Sequence, residues 1–176
     1  MSENRVDPTV AGLFLIGFVM LVFGIAGIQL FNSGWPDLLV AAFDFIIPVA
    51  FIILIFAYMA GKAGNAFAVA LFSFIAVSLF GAGYMLGTEV MLFAIVAFFF
   101  IIYAIVALLI GAPKLLVILL FLVALLFLFL GFAFAIEKGA GDPSAYCLVF
   151  GFFGILAFLV ATYMAVALAT QKAPVF

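Results

Sequence analysis

Apolar runs of about 20 residues follow one another along this chain, and most of its charged side chains fall in the breaks between them: Asp37, Lys62, Glu89, Lys114 and the Glu137–Asp142 stretch. A helix rising 1.5 Å per residue needs about 20 apolar residues to cross ~30 Å of hydrocarbon. Backbone inside lipid must satisfy its own hydrogen bonds, so only helices or closed barrels span a bilayer. The runs are continuous rather than alternating, which excludes the barrel pattern. The sequence predicts an all-α, polytopic membrane protein with a single transmembrane domain over residues 1–176.

Turn chemistry marks where the helices stop. Asn32 to Pro36, Gly61 to Asn65, Gly87 to Glu89, Gly111 to Pro113 and Gly139 to Pro143 are the breaks. They leave six predicted spans, at residues 10–31, 38–60, 66–86, 90–110, 114–136 and 146–170, with neighbours antiparallel because every connection is short. The first apolar run exceeds a 7–15-residue signal core and leads straight into further spans, so it reads as a retained helix. With six spans, Arg5, Lys62, Lys114 and Lys172 share one side, and Lys138 stands on the other with Asp37, Glu89, Glu137 and Asp142. Basic residues favour the cytoplasmic side. Both termini are expected there, in a multi-pass protein of the inner or plasma membrane.

Composition removes most function classes. Only 7% of residues are charged, against about a quarter in a soluble domain, so no soluble catalytic domain is hidden here. The chain has no His and a single Cys, Cys147, which reads as a small apolar residue near a helix start. No metal set, disulfide or cofactor motif follows from that inventory. There is no basic cluster for nucleic acid, no nucleophile elbow and no phosphate loop, so an enzyme is not expected. Transport, or a structural role in a membrane assembly, remains.

Asp44 is the one acidic residue well inside a predicted span. A carboxylate there costs roughly 2.5–3.5 kcal/mol on insertion scales, so it reads either as a pore-facing acid or as a wet interfacial one seven residues from Asp37. Pro48, four residues on, frees the carbonyl of Asp44. The pairs Gly24 and Gly27, Gly81 and Gly83, Gly151 and Gly154, and Ala161 with Ala165 read as close helix packing or as thinned pore wall. The 26 Phe residues read as lipid-facing or packing groups, a few of which can form a dry constriction. Tyr58, Tyr84, Tyr103 and Tyr163 read as interfacial belt residues.

Two segments carry a resemblance. Asp7-Pro8-Thr9-Val10-Ala11-Gly12-Leu13 enters the first span, and Gly64-Asn65-Ala66-Phe67 opens the third and continues to Phe72-Ser73. Weaker echoes are Gly111-Ala112 and Ala161 to Ala165. In order and spacing these resemble the acetate uptake transporter family, the succinate–acetate permeases, whose first motif reads Asn-Pro-Ala-Pro-Leu-Gly-Leu. Asp7, Val10 and Ala11 depart from that motif, and Ala60 and Leu168 stand where the family carries acids.

The resemblance implies a homohexamer with one narrow pore per protomer. It implies a constriction at Ile16, Ile75 and Leu122, where the family has Phe, Tyr and Leu, and nearby aromatics at Phe14, Phe18, Phe72 or Phe74. A polar vestibule is expected at Asp7, Pro8, Gly12, Leu13, Asn65 and Ser73, where helix starts offer free N–H groups to a carboxylate. The expected substrate is acetate or a related short monocarboxylate, carried through the lipid bilayer. A channel for a small neutral solute such as urea, an amide or ammonia is the alternative, and a non-transporting assembly subunit a further one.

Overall fold

The computed structural model describes residues 8–33, 37–84, 90–139 and 141–170, with side chains described for 8–29, 46–81, 91–137, 139 and 141–170. Six α-helices follow in order: α1 (Pro8–Ser33), α2 (Asp37–Lys62), α3 (Ala66–Tyr84), α4 (Val90–Leu109), α5 (Lys114–Lys138) and α6 (Ser144–Thr170). Each coincides with one expected helical segment to within two residues. The largest differences extend helices: α2 runs through Gly61 and Lys62, and α5 through Glu137 and Lys138. Pro48 sits inside α2 without ending it.

Among the described residues, four helical stretches are long and apolar enough to cross a membrane, at Pro8–Gln29, Met91–Leu109, Lys114–Glu137 and Ser144–Thr170. Ile46–Lys62 and Ala66–Gly81 are shorter apolar helices. Large apolar side chains face outward on all six helices, including Phe18, Phe51, Val77, Phe98, Phe121 and Phe152. In water that coat would be an aggregation liability; in lipid it needs no partner. This is a helical, multi-pass membrane protein.

Glycine shapes two turns at one end of the bundle. Gly64 and Gly111 adopt φ of 78° and 71°. Each follows a helix whose last turn is closed by a six-residue hydrogen bond, Asn65 N–H to the Ala60 carbonyl (3.0 Å) and Ala112 N–H to the Ala107 carbonyl (2.9 Å). This is the Schellman arrangement, which calls for a residue in the left-handed region. The next helix then starts at once. Asn65 caps α3 by accepting the Ala68 N–H on Oδ1 at 3.0 Å. Pro113 precedes α5 and its carbonyl accepts the Leu116 and Val117 N–H groups. At the opposite end, Asp142 Oδ1 accepts both the backbone N–H and the hydroxyl of Ser144 at the start of α6. Those two donors hold the exposed Asp142 carboxyl below the usual carboxylate range.

The helices pack as a ring in which α1 lies against α2 and α6, α2 against α3, and α5 against α4 and α6, with α3 and α4 only lightly in contact. The α1–α6 seam is the tightest. A Cβ added at Gly27 would lie 2.6 Å from the Gly151 Cα and 2.7 Å from the Cys147 carbonyl, and one at Gly154 would lie 2.7 Å from the Gly24 nitrogen. Ala161 continues the seam opposite Gly17. These glycines and Ala161 therefore pack two helices of the same chain. Gly81 differs: its nearest neighbour would be Leu92 at 3.7 Å, an ordinary contact. Gly83 lies outside the described side chains. Cys147 is buried in the same seam.

Between α4 and α5 the core is aromatic. Phe134, Phe93, Phe127 and Phe100 form a ladder in which successive rings lie 5.2, 6.4 and 5.8 Å apart, nearly parallel. The spacing of seven residues on each helix puts every ring on one face. Phe23 of α1 meets Phe127 edge-on at 5.9 Å.

Candidate functional site

The centre of the ring is a seam between α1, α3 and α5. A void of ≈ 20 Å³ lies there, walled by Leu13, Ile16 and Met20 of α1, Leu71, Ile75, Ser78 and Leu79 of α3, and Leu116, Leu119, Leu120, Val123 and Phe127 of α5, with Phe100 from α4. A water needs roughly 10–15 Å³ by this measure, so the void has room for about one. Its wall surface is wholly apolar, although Ser78, the one buried polar side chain among the described residues, is one of the residues that form it.

Toward the end of the bundle where α1, α3 and α5 begin, a wider mouth of ≈ 330 Å³ opens. Thr9 and Leu13, Asn65, Phe67, Ala68, Leu71 and Phe72, then Ile110, Ala112, Pro113 and Leu116, and Met164 and Leu168 contribute to it. Leu13, Leu71 and Leu116 border both the mouth and the void. These three leucines, one from each seam helix, form a collar between the two spaces. Three helix N-termini stand around the mouth, each carrying partial positive charge. Thr9 and Asn65 are its polar side chains. Asn65 spends its oxygen on capping α3, which leaves its NH₂ to the mouth.

Of the residues expected at a constriction, Ile16 and Ile75 both line the void. Leu122 is half-buried and is not on that wall. The reason is helical phase. α5 presents Leu116, Leu119, Leu120, Val123 and Phe127, a stripe with the spacing of one helix face, and position 122 lies about 100° around the helix from Val123.

The aromatics also come from elsewhere than expected. Phe14 and Phe18 are 43% and 47% exposed and point outward. Phe74 turns to α4, against Phe99, Phe100 and Tyr103. Phe72 lines the mouth, and Phe100 and Phe127 line the void.

Among the vestibule residues, Leu13 and Asn65 border the mouth. Gly12 lies behind it: a Cβ there would meet the Phe72 ring at 2.5 Å, so the missing side chain is what seats that ring. Pro8 is buried at the start of α1. Ser73 is not in the mouth. It stands some 200° around α3 from both Leu71 and Ile75 and lines a separate groove against α2. Asp7 lies outside the described residues, and Asp44 is in α2 with its side chain outside them. Of the expected belt tyrosines, Tyr58 and Tyr163 are exposed. Tyr103 donates to the Ala70 carbonyl of α3 at 3.3 Å, and Tyr84 lies outside the described side chains. The collar itself was missed, because nothing but three-dimensional phase distinguishes Leu71 and Leu116 from the other leucines of this chain.

A scan against protein-family models returns no match to this chain, and a search of the curated proteins returns none either.

Proposed function

We propose that the protein is a membrane channel or transporter that passes acetate or a related short monocarboxylate through the α1–α3–α5 seam of each protomer. The observation that carries this reading is that the mouth adjoins the buried void across Leu13, Leu71 and Leu116, one residue from each of α1, α3 and α5. In this proposal all six helices cross the bilayer. Supporting that, α2 is 26 residues long and α3 19, about 39 and 28 Å at the helical rise. The end of the bundle holding the exposed Lys62 and Lys114 would face the cytoplasm. The hexamer rests on the resemblance to acetate uptake transporters alone.

The chemistry of each compartment fits one step. At the mouth, a carboxylate keeps partial hydration while helix N-termini and the Asn65 amide supply donors. No described cation stands in the seam to hold a dianion, so a small monovalent or neutral species is favoured. At the collar and void the solute meets only carbon, where a bare carboxylate is costly. Passage therefore requires widening of the seam, together with water or a proton accompanying the carboxylate. Hydrophobic constrictions of this kind select by size and by wetting.

The dry wall also favours a second reading, a channel for small neutral solutes such as urea or ammonia. Uptake of radiolabelled acetate into proteoliposomes, with urea as competitor, separates them. Saturable acetate uptake that urea leaves unchanged is expected. Urea flux without acetate flux would establish the second reading in its place.

A further inference from the structure

On the outer face of the bundle, α2 and α3 diverge to leave a groove of ≈ 490 Å³ that is separate from the mouth and void. Below the rim the walls are Leu54, Ala57 and Val69, with Ser73 of α3 as the one polar side chain among them. Its rim at the helix end carries Tyr58 and Lys62, and the Lys62 ammonium lies 4.8 Å from the centroid of the Tyr58 ring. Both are exposed. Gly61 lies between groove and rim, and its missing side chain keeps the groove open beside Val69.

We infer that this groove binds one anionic phospholipid, its phosphate on Lys62 and an acyl chain lying between α2 and α3. Three observations carry it. The polarity is ordered as a lipid's is, with the charge at the helix end and a wall below it that is carbon apart from Ser73. From Lys62 to Leu54 the groove runs about 12 Å along α2, which matches the upper part of one leaflet of a ~30 Å core. The single charge on the rim is positive, and the acids described, Glu137 and Asp142, stand at the opposite end of the bundle. Lys62 at the membrane edge thus has an anionic headgroup as its natural counter-ion. The apolar groove between Ile28, Leu148 and Phe152 makes the contrast: it carries no charge, and nothing there selects a headgroup. The inference is independent of what the seam transports.

The test is native mass spectrometry of the detergent-purified full chain with phosphatidylglycerol or phosphatidylcholine of identical acyl chains. One phosphatidylglycerol retained per protomer, in preference to phosphatidylcholine, is expected. Lys62→Glu should weaken that retention about tenfold and Lys62→Arg should preserve it. Gly61→Leu, which leaves the charge and fills the groove, should also weaken it, with the helical melting curve confirming that each variant is folded. Equal retention of both lipids, or undiminished phosphatidylglycerol binding by Lys62→Glu, would overturn the assignment. Displacement of the lipid by an equal concentration of glycerol 3-phosphate would make this a free-anion site instead. Efficient disulfide dimers of Gly61→Cys would give the groove to a second copy of the chain.

Discussion

Replacing Gly27 with alanine adds one methyl group where α1 meets α6, and the structure sets what that methyl meets. The new Cβ would lie 2.6 Å from the Gly151 Cα and 2.7 Å from both the Gly151 nitrogen and the Cys147 carbonyl. All three are backbone atoms of a helix, so no side-chain rotation relieves the clash. Restoring 3.4 Å requires the helices to part by about 0.8 Å, and a gap of that size forfeits a quarter to a half of the dispersion energy at the contacts it opens. Overpacking of this kind costs about 1–3 kcal/mol, and immovable backbone neighbours put Gly27→Ala at the upper end. Alanine returns about 0.5–1 kcal/mol through its better helix propensity. The net expectation is a loss of about 2 kcal/mol. Gly81→Ala is the internal control, because its methyl would meet Leu92 at 3.7 Å and only the propensity gain remains. Unfolding in mixed micelles of increasing SDS fraction, followed by far-ultraviolet circular dichroism, reads both. Opposite signs for the two variants are expected. A neutral or stabilising Gly27→Ala would refute the close α1–α6 seam.

The collar gives a pair of flux predictions: Leu116→Ala, which enlarges the opening between mouth and void, should raise acetate flux and admit longer monocarboxylates, whereas Leu122→Ala, off the wall, should leave both unchanged. Vesicle uptake of acetate, propionate and butyrate checks them. The start of α6 gives a pH prediction. The Asp142 carboxyl is depressed in the folded chain by its two Ser144 donors, so its contribution is complete above the ordinary Asp pKa of about 4 and is lost as pH falls through the lower folded value. Amide exchange in the first turn of α6, corrected for intrinsic rates, should therefore quicken below pH 4 in the parent and show no such step in Asp142→Asn.

The helices were legible because lipid imposes one rule along the whole chain: about 20 apolar residues, then a turn. Gly64 and Gly111 mark ends whose backbone needs positive φ, and that requirement is visible in a single letter. The helix faces were not legible. In a soluble bundle a polar stripe reports which side faces out, but here Leu122 and Val123 are equally apolar and only packing decides that Val123 meets the void. The same loss of contrast hid the collar leucines and put Ser73 in the mouth rather than in the α2–α3 groove. The small-residue pairs were half legible. Gly24, Gly27, Gly151 and Gly154 proved to be one interface, while Gly81, identical in letter, would place a methyl only in ordinary contact with Leu92. Which aromatics meet the seam depended on α4, whose Phe100 reaches the void from a helix outside the expected three.

The most direct test of the seam as a transport path is acetate flux into proteoliposomes, measured for the parent and for Leu116→Trp, with and without an imposed pH gradient. The account predicts saturable flux in the parent, and a fall to the level of protein-free vesicles when the indole blocks the collar of a variant that still shows the parent's helical melt. Parent flux no greater than that of empty vesicles, or undiminished flux through Leu116→Trp, would contradict it.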